Sequence, residues 1–415
     1  MCILGQGESP WGAIMQGNQK STDHARHGTQ RGELRVRRHL ILLLVFWAGC
    51  DCAAQPAPRV KPVPSIAPST KGGGQAQTTL PPDASPGPAR YPANPEQLHA
   101  RALVIDAHND VPLKMADHAG YDFARRMPYG HTDIPRMVQG GLDAVFLSVW
   151  VNPRKYVGEK AWSRGMQLFR AINQAAGENP DRVTLARTST ALNRITGQGK
   201  IALLIGVEGA HAMGNFDSKA RVIARLRRLH QLGARYMTLT WSNSNPLAGS
   251  SGDAGRARGL SALGRDVVSE MNRLGMMIDL SHVSDRTFFD VIRTSRSPVL
   301  LSHSSVRALA NHPRNVTDEM LRTLKANGGA ICINFYAGFL DDRWRRRTAG
   351  KSNRERKHLP RIPLSTLIRH ISHAIEVAGI DHVCLGSDFD GVPSLPMGID
   401  DVSGLPVVTK ALLAG

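Results

Sequence analysis

Short apolar runs recur along most of the chain, and this recurrence constrains the fold more than any other feature. Eight runs rich in β-branched and other apolar residues alternate with amphipathic stretches of helical period. Each run is continuously hydrophobic, which is typical of strands buried on both faces in a parallel sheet. The runs are Ala102–Asp106, Ala144–Val151, Ile201–Val207, Arg235–Thr240, Met276–Leu280, Pro298–Leu301, Ala330–Phe335 and His382–Gly386.

The stretches between these runs predict helices that cover the sheet. Helical patterns extend over Lys219–Leu232, Leu260–Leu274, Asp318–Lys325 and Leu364–Val377. Eight strand–helix units in a few hundred residues are typical of an α/β fold of the (β/α)8 TIM-barrel type. A doubly wound open sheet is the alternative, but no Gly-rich dinucleotide fingerprint follows the first run. We therefore predict a TIM-type barrel.

Residues that can bind metals follow four of the predicted strands. They are His108 and Asp110, Glu208, His282, and His303. In a TIM barrel the active site lies at the carboxyl ends of the strands, so these side chains are expected to converge. A single histidine at a strand end is most often structural, but packing does not explain four such positions at one end of the barrel. Imidazoles and carboxylates are ordinary zinc ligands, and a carboxylate can bridge two metals.

Other reactive residues are interpreted as structural. His230 lies within a basic helical pattern and is expected at the surface or in the core with its hydrogen bonds satisfied. Cys332 and Cys384 lie inside apolar strands, so we interpret them as small core residues and not as a disulfide or a thiolate site. Neither a G-x-S-x-G nucleophile motif nor a Cys/His pair stands at a strand end.

The chain divides into three segments, of which the first, residues 1–54, resembles an export signal. A basic cluster at 35–39 precedes nine apolar residues, Leu40–Ala48, a run too short to span a bilayer. Cleavage after Ala54 fits the small-residue rule, whereas lipidation of Cys50 is the alternative. We expect an exported protein, either periplasmic or membrane-anchored in the cell envelope.

The second segment, residues 55–97, is predicted to be a linker, and the third, 98–415, the barrel domain. Eleven of the 25 prolines lie in the second segment, together with three consecutive glycines. Such a composition cannot bury enough apolar surface to offset the entropy of ordering the chain.

The formal net charge of +18 raises the possibility of an anionic partner. Nine basic residues crowd into Arg343–Arg361, which lacks hydrophobic periodicity. We interpret this stretch as a solvated surface loop. Nucleic-acid modules interleave aromatic residues or glycines with their charges, and here Trp344 is the one aromatic residue. Nucleic acid is therefore not an expected partner.

Seven ordered motifs resemble the membrane (renal) dipeptidase family of zinc peptidases over about 300 residues. They are HNDVP at 108–112, GVEGAH at 206–211, YMTLT at 236–240, IDLSHVS at 278–284, LSHSS at 301–305, RNV at 314–316 and GSDFDGV at 386–392. The resemblance implies a barrel of the metal-dependent hydrolase type, an exported dipeptidase activity and a dipeptide substrate.

The resemblance also implies a role for each site residue. His108, Asp110 and Glu208 would hold one zinc ion, and Glu208, His282 and His303 a second, giving two Zn²⁺ per chain. Arg314 would pair with the free carboxylate of the dipeptide. A zinc-activated bridging hydroxide would attack the carbonyl, while Asp388 acts as general acid and base. Asp390 is a weaker candidate for that proton-transfer role.

Two departures from the family pattern bear on function. Trp241 stands where many members carry a histidine that polarises the substrate carbonyl. Either Asn243 or Asn245 replaces this donor, or the substrate range has shifted, or activity is reduced; an apolar wall for the substrate side chain is a further interpretation of Trp241. The chain stops at Ala411–Gly415, where the family continues with helical sequence. A truncated product is one interpretation, and burial of the uncovered surface in a homodimer is another.

Three function classes follow from these observations. The first is the zinc dipeptidase. The second is another binuclear amidohydrolase-type enzyme, such as a lactonase or deaminase, which Arg314 and the GSDFDG motif disfavour. The third is a catalytically weakened relative or an envelope binding protein, which Trp241 makes plausible. Manganese or cobalt would accept the same ligands as zinc.

Overall fold

The structure is a computed structural model, and it describes residues 40–41, 94–253 and 258–414. The predicted signal cleavage, the lipidation of Cys50 and most of the predicted linker lie outside these residues. A helix already begins at Pro95, with Asn94 capping its first turn, slightly before the predicted start of the barrel domain. Within the described parts of the chain, none of the helices combines the length and apolar character that a bilayer span requires.

Eight parallel strands close into a barrel, which confirms the predicted fold class. The longest pairing joins the second and third of these strands in seven consecutive pairs, from Ala144 with Ala202 to Trp150 with Glu208. In chain order the strands are β1 Ile105–Asn109, β2 Ala144–Trp150, β3 Ile201–Glu208, β4 Ala234–Thr238, β5 Met277–Asp279, β6 Leu300–Ser304, β7 Ala330–Ile333 and β8 Val383–Leu385.

The seam between the last strand and the first is narrow. β8 and β1 share one residue pair, Leu385 with Asp106. Side-chain bonds reinforce it, because the Asp106 carboxylate accepts from the Ser387 backbone N–H at 2.8 Å and from its hydroxyl at 2.6 Å. The seam places the residues after β8 beside the end of β1, where the Asp388 N–H donates to the His108 carbonyl.

Two further pairings lie outside the barrel ring. Val183–Leu185 adds an edge to β3, and Leu40–Ile41 pairs in parallel with Ala102–Leu103.

Helices surround the barrel, and polar caps fix where several of them begin. Ser218, Ser261, Ser284 and Thr317 each accept a hydrogen bond from the third helical N–H of the helix that follows. The α-helices are Pro95–Arg101, Val111–Asp117, Ile134–Gln139, Glu159–Glu178, Ser189–Gly197, Lys219–Gln231, Ala262–Leu274, Asp285–Thr294, Asp318–Asn327, Ala337–Leu340, Asp342–Thr348, Asn353–Lys357, Leu364–Ala378 and Leu405–Ala414. Short 3₁₀ turns are Ala210–Met213, Ile380–His382 and Val402–Gly404.

The core has two apolar layers. Inside the barrel, Ile105, Phe146, Leu204 and Tyr236 pack together, and Tyr236 is fully buried beneath the carboxyl ends of the strands. Outside it, the strands pack against the inner faces of the helices in one continuous cluster. The rigid ring thereby presents the strand ends, and the residues that follow them, at one face.

The basic segment is largely exposed, as predicted, but it is not a loop throughout. It contains the helices Asp342–Thr348 and Asn353–Lys357, and Trp344 is 2% exposed and packs edge-on against Tyr336. The aromatic anchor holds the segment over the strand ends. Its charges therefore belong partly to the wall of the central cavity.

The two strand cysteines form a disulfide, contrary to the sequence-based interpretation. Cys332 of β7 and Cys384 of β8 are directly opposite in the parallel register, with their Cα atoms 4.1 Å apart. Both are buried in the barrel interior, as predicted, but the strand register was not available from the sequence.

The helix at the end of the chain covers part of the seam that was expected to be exposed. Leu405 and Val408 of helix Leu405–Ala414 are buried, and the helix packs against Pro95–Arg101 and Leu364–Ala378. A small cavity of about 30 Å³ remains between this helix, Val104 and Val383.

Candidate metal centre

A cavity of about 810 Å³ opens at the carboxyl ends of the barrel strands. Its floor contains the side chains that the sequence singled out. Asp110, Glu208, His282, Arg314 and Asp388 line it, and His108 and His303 lie buried directly against Glu208. The predicted convergence of ligands from separate strands is therefore present in the structure.

Glu208 lies at the centre of the cluster, and its two oxygens face different partners. Oε2 is 3.3 Å from His108 Nε2, which in turn is 3.5 Å from Asp110 Oδ2. Oε1 is 3.0 Å from His282 Nε2 and 3.6 Å from His303 Nε2. One carboxylate therefore joins two donor groups, which is the arrangement that a bridging ligand requires.

The donor atoms fit metal ligation better than hydrogen bonding among themselves. His108 Nε2 and Asp110 Oδ1 are buried and lack a hydrogen-bond partner within the described chain. His282 Nε2 and His303 Nε2 face each other at 3.0 Å, an approach that an intervening cation stabilises when both rings are neutral. Donor atoms of His108, Glu208 and His303, and separately of His108, Asp110 and Asp388, lie within 4.8 Å of one another.

Outer partners orient the imidazoles so that Nε2 points to the centre. His108 Nδ1 lies 2.9 Å from the Tyr236 hydroxyl, which donates to the Ala107 carbonyl and so acts as acceptor for the ring. His303 Nδ1 lies 2.8 Å from Ser302 Oγ, whose proton goes to Asp279. Each contact fixes a proton on Nδ1 and leaves the Nε2 lone pair for a metal.

The electrostatics keep two of the histidines neutral. Burial lowers the pKa of His282 to about 4, and burial together with the His108 and Arg314 charges holds the pKa of His303 well below its ordinary value. Although burial disfavours a charged carboxylate, the neighbouring His108 keeps the pKa of Glu208 well below its usual range. Although burial opposes it, the neighbouring Tyr236, Glu208 and Asp110 raise the pKa of His108 well above its ordinary value. His282 and His303 are therefore in the neutral state that zinc ligation requires, whereas His108 would release a proton when a metal binds.

Asp388 reaches the same space from the end of β8. Its Oδ2 accepts a 2.9 Å hydrogen bond from the Asn334 side chain, while burial and the adjacent Asp110 raise its pKa well above the ordinary value. Asp390, the weaker candidate for proton transfer, has partners outside the cluster around Glu208. Its carboxylate pairs with Lys114 at 2.8 Å and accepts from the His131 N–H at 2.7 Å.

Arg314 lies on another side of the cavity and is 7% exposed. One guanidinium nitrogen donates to the His303 carbonyl at 2.9 Å, and the group stacks on the Phe339 ring at 5.2 Å. Burial lowers its pKa to about 10, so it stays charged at neutral pH. Because Arg314 lines the cavity, its positive charge can pair with an anionic ligand there.

Trp241 lines the cavity as an apolar wall, as the sequence suggested. Its ring lies 5.1 Å from that of Trp150 and 6.1 Å from that of His282. Asn243 is not among the described lining residues, and the Asn245 side chain bonds within its own loop. Ser242 lines the cavity instead, with its Oγ 3.4 Å from His282 Nδ1. A role for Asn243 in substrate binding stays a prediction.

Several supporting residues were not singled out from the sequence. These residues contact the site from neighbouring strands and loops; they are Asn334, Tyr336, Tyr236 and the Asp279–Ser302 pair. Asn334 follows β7 directly, so the rule that identified the ligands could have identified it too. The other contacts depend on packing that the sequence does not show.

A family model for membrane dipeptidase, peptidase family M19, matches residues 93–415. The chain belongs to this family. The match covers the whole barrel and every predicted site residue, so the membrane dipeptidase resemblance drawn from the motifs is confirmed. Membrane dipeptidases are metallopeptidases, and this chain is accordingly a hydrolase of the dipeptidase class.

Relatives and solved structures agree with the family assignment. An uncharacterized dipeptidase of Schizosaccharomyces pombe is 37% identical over 331 residues, covering 75% of this chain and 74% of that protein. Dipeptidase tcpJ of Claviceps purpurea is 37% identical over 325 residues, covering 74% and 71%. A Rhodobacter sphaeroides metallopeptidase, solved with a phosphinate mimic of L-Ala-D-Ala, is similar with a TM-score of 0.66 and 28% identity, covering 75% and 92%.

Proposed function

We propose that this membrane dipeptidase family member is an exported dipeptidase that uses two zinc ions per chain. The metal assignment depends on the two carboxylate oxygens of Glu208, which contact different imidazoles. One oxygen faces His108, and the other faces the His282–His303 pair. A carboxylate that only balanced charge would not need both oxygens directed at separate imidazole groups.

Five residues would hold the metals. His108, Asp110 and Glu208 would bind one ion, and Glu208, His282 and His303 the other. Bound zinc supplies a Lewis acid for the peptide carbonyl and lowers the pKa of water towards neutrality. The buried, preoriented imidazoles are suited to this, because their Nδ1 protons are already fixed by neighbouring oxygens.

The chain's own groups would position the substrate and move its protons. Arg314 would bind the free carboxylate of a dipeptide, since its planar guanidinium is held by the His303 carbonyl and by Phe339. Asp388 would accept a proton from the attacking water and return it to the leaving amine. Asn334 would orient the Asp388 carboxylate towards the metals. An anion-binding position beside the metal centre favours short peptides with a free carboxyl terminus.

The test measures metal content and dipeptide hydrolysis on the same preparation of the full chain. About two zinc ions per chain, with turnover that is lost on chelation and restored by zinc, would support the proposal. Two bound metals without turnover on L,L or L,D dipeptides would contradict it. That result would favour another hydrolase class or a weakened relative, as Trp241 in place of the family histidine suggests.

Glu208→Gln is the discriminating variant in this experiment. Because the amide keeps the volume but loses the charge shared by both positions, we expect turnover to disappear and both metals to bind more weakly. His230→Gln is the matched control, since His230 is only half-buried and lies on the helix Lys219–Gln231 away from the cavity. A Glu208→Gln protein with two metals and full turnover would contradict the assignment.

Export is the second part of the proposal. It is supported by the basic cluster and apolar run in the first segment and by the Cys332–Cys384 disulfide, because structural disulfides persist in oxidising compartments. Cell fractionation with amino-terminal sequencing of the mature protein tests it. A lipid on Cys50, seen by mass spectrometry, would indicate anchoring, whereas cleavage after Ala54 would indicate free secretion; retention of residues 1–54 in the cytoplasm would contradict export.

A further inference from the structure

Basic side chains line the outer part of the cavity and are not used by the proposed mechanism. Arg154 follows β2, while Lys351 and Arg356 come from the segment that carries the two short helices after β7. The described acidic residues that line the cavity are already committed. Asp110 and Glu208 belong to the metal centre, Asp388 to proton transfer, and Asp390 to Lys114. The mouth of the cavity therefore carries uncompensated positive charge.

Arg356 is directed towards the wall that holds Arg314. Its Nη1 donates to the Tyr336 hydroxyl at 3.2 Å, and its Nε is buried without a hydrogen-bond partner in the described chain. The Tyr336 ring lies 4.9 Å from Phe339, and Phe339 carries the Arg314 guanidinium. Arg314 and Arg356 thus sit at two ends of one aromatic wall.

The nearest acidic residue in the sequence does not neutralise Arg356. Glu355 accepts hydrogen bonds from the Ser352 N–H and from the Ser352 hydroxyl, which closes a capping box at the start of helix Asn353–Lys357. The Glu355 carboxylate is therefore hydrogen-bonded at the start of its own helix and does not pair with Arg356. Among the described residues no carboxylate pairs with Arg356, although Arg356 lines the cavity, so an acidic group of a ligand would supply its missing partner.

We propose that Arg356, assisted by the charges of Arg154 and Lys351, selects dipeptides whose carboxyl-terminal residue has an acidic side chain. This inference rests on the proposed function, because it places the α-carboxylate of the substrate at Arg314. The side chain of the same residue then lies along the Tyr336–Phe339 wall towards Arg356. A second carboxylate there would meet a charge-assisted donor, which is stronger than a neutral hydrogen bond.

The test compares Ala-Glu with Ala-Gln, which have the same shape and differ in one charge. We expect the unaltered protein to hydrolyse Ala-Glu with a kcat/KM about tenfold higher, mainly through KM, and the preference to shrink as salt is added. Arg356→Gln should lower kcat/KM for Ala-Glu about tenfold and change that for Ala-Gln less than twofold. Arg356→Lys, which keeps the charge, should restore part of the preference.

Arg354→Gln is the matched control, because Arg354 is exposed on the same helix and does not line the cavity. It should leave both substrates unaffected. Equal kcat/KM values for the two dipeptides, or an equal effect of Arg356→Gln on both, would overturn the inference.

Binding measurements separate this inference from the proposed function. Phosphinate isosteres of Ala-Glu and Ala-Gln report the preference as a ratio of Kd values without any hydrolysis. If no dipeptide is hydrolysed, the proposed function fails, and the Kd ratio still decides the selectivity: about tenfold tighter binding of the glutamate isostere, lost in Arg356→Gln, supports it, and equal Kd values overturn it.

Discussion

Three residues other than glycine hold a left-handed backbone in the described chain, and all three surround the metal centre. His282, Asp388 and Asp390 have φ angles of 69°, 63° and 69°. Such conformations cost free energy and persist where surrounding contacts fix them. The Asp388 N–H donates to the His108 carbonyl, and the Asp390 N–H donates to His131 Nδ1. The backbone is thus strained where the candidate ligand His282 and the proposed proton-transfer group Asp388 face the cavity.

Asp388→Asn should separate proton transfer from metal binding. The amide has the same shape but cannot accept and return a proton, so we expect turnover to fall by roughly 10²–10⁴-fold with metal content unchanged. Steady-state kinetics and metal analysis of the same sample provide the measurement.

Asp390→Asn is the comparison variant, since Asp390 pairs with Lys114. It should retain most of the turnover and lose some stability. If Asp390→Asn lost activity while Asp388→Asn kept it, the two carboxylates would have to exchange roles.

The sequence identified the side chains that converge around Glu208, because residue type and position at a strand end are both readable without coordinates. The contacts that orient them are not readable. Ser302 links His303 to Asp279 across two strands, and Tyr236 reaches His108 from inside the barrel. Those contacts depend on strand register and on side-chain rotamers, which no motif specifies.

At the level of elements, Gly386 shows how closely β8 approaches its neighbours near the site. A Cβ atom on Gly386 would lie 1.9 Å from the Ser302 carbonyl oxygen and 2.9 Å from Cys332 Cβ. Both obstacles are fixed, one being backbone and the other part of a disulfide. Glycine is therefore required at the point where β8 turns towards Asp388.

Gly386→Ala should lower the free energy of unfolding by about 1–3 kcal/mol, because overpacking moves backbone in a dense core. It should also reduce turnover by displacing Asp388. Gly177→Ala is the control, since a Cβ there meets nothing within 4 Å and alanine favours its helix. Denaturant unfolding of both variants is the measurement, and equal stabilities would contradict the packing argument.

The positions of helices along the chain were predicted better than the packing of side chains around them. The helix predicted over Leu364–Val377 is observed as Leu364–Ala378, because its apolar period is clear. The helices in the basic stretch Arg343–Arg361 were not predicted, because Trp344 is the one aromatic residue among its charges. Trp344 is buried against Tyr336 and holds the stretch in place. One buried aromatic residue in a polar segment gives no period to detect.

For the whole molecule, the disulfide is the covalent link within the barrel that the sequence analysis missed. Cys332 and Cys384 are separated by 52 residues in sequence and join the last two strands of the barrel. Their pairing could not be predicted, because a one-residue shift of register would place them apart.

Reduction of this disulfide, or replacement of both cysteines by alanine, should lower the free energy of unfolding by about 2–4 kcal/mol. Peptide mapping under non-reducing conditions should recover Cys332 and Cys384 in one linked peptide. Thermal unfolding with and without reductant provides the measurement, and the double variant should not respond to reductant. Free thiols at both positions in protein isolated without reductant would contradict the pairing.

The narrow seam between β8 and β1 has a consequence for the order of folding. Asp106 and Ser387, which form hydrogen bonds across it, are 281 residues apart, so closing this seam costs more loop entropy than any other pairing of neighbouring barrel strands, and we expect it to form late. His108 and Asp110 lie on one side of the seam and Asp388 on the other. A chain still emerging from the ribosome cannot assemble the complete site, so hydrolytic activity arises only in molecules whose ring has closed.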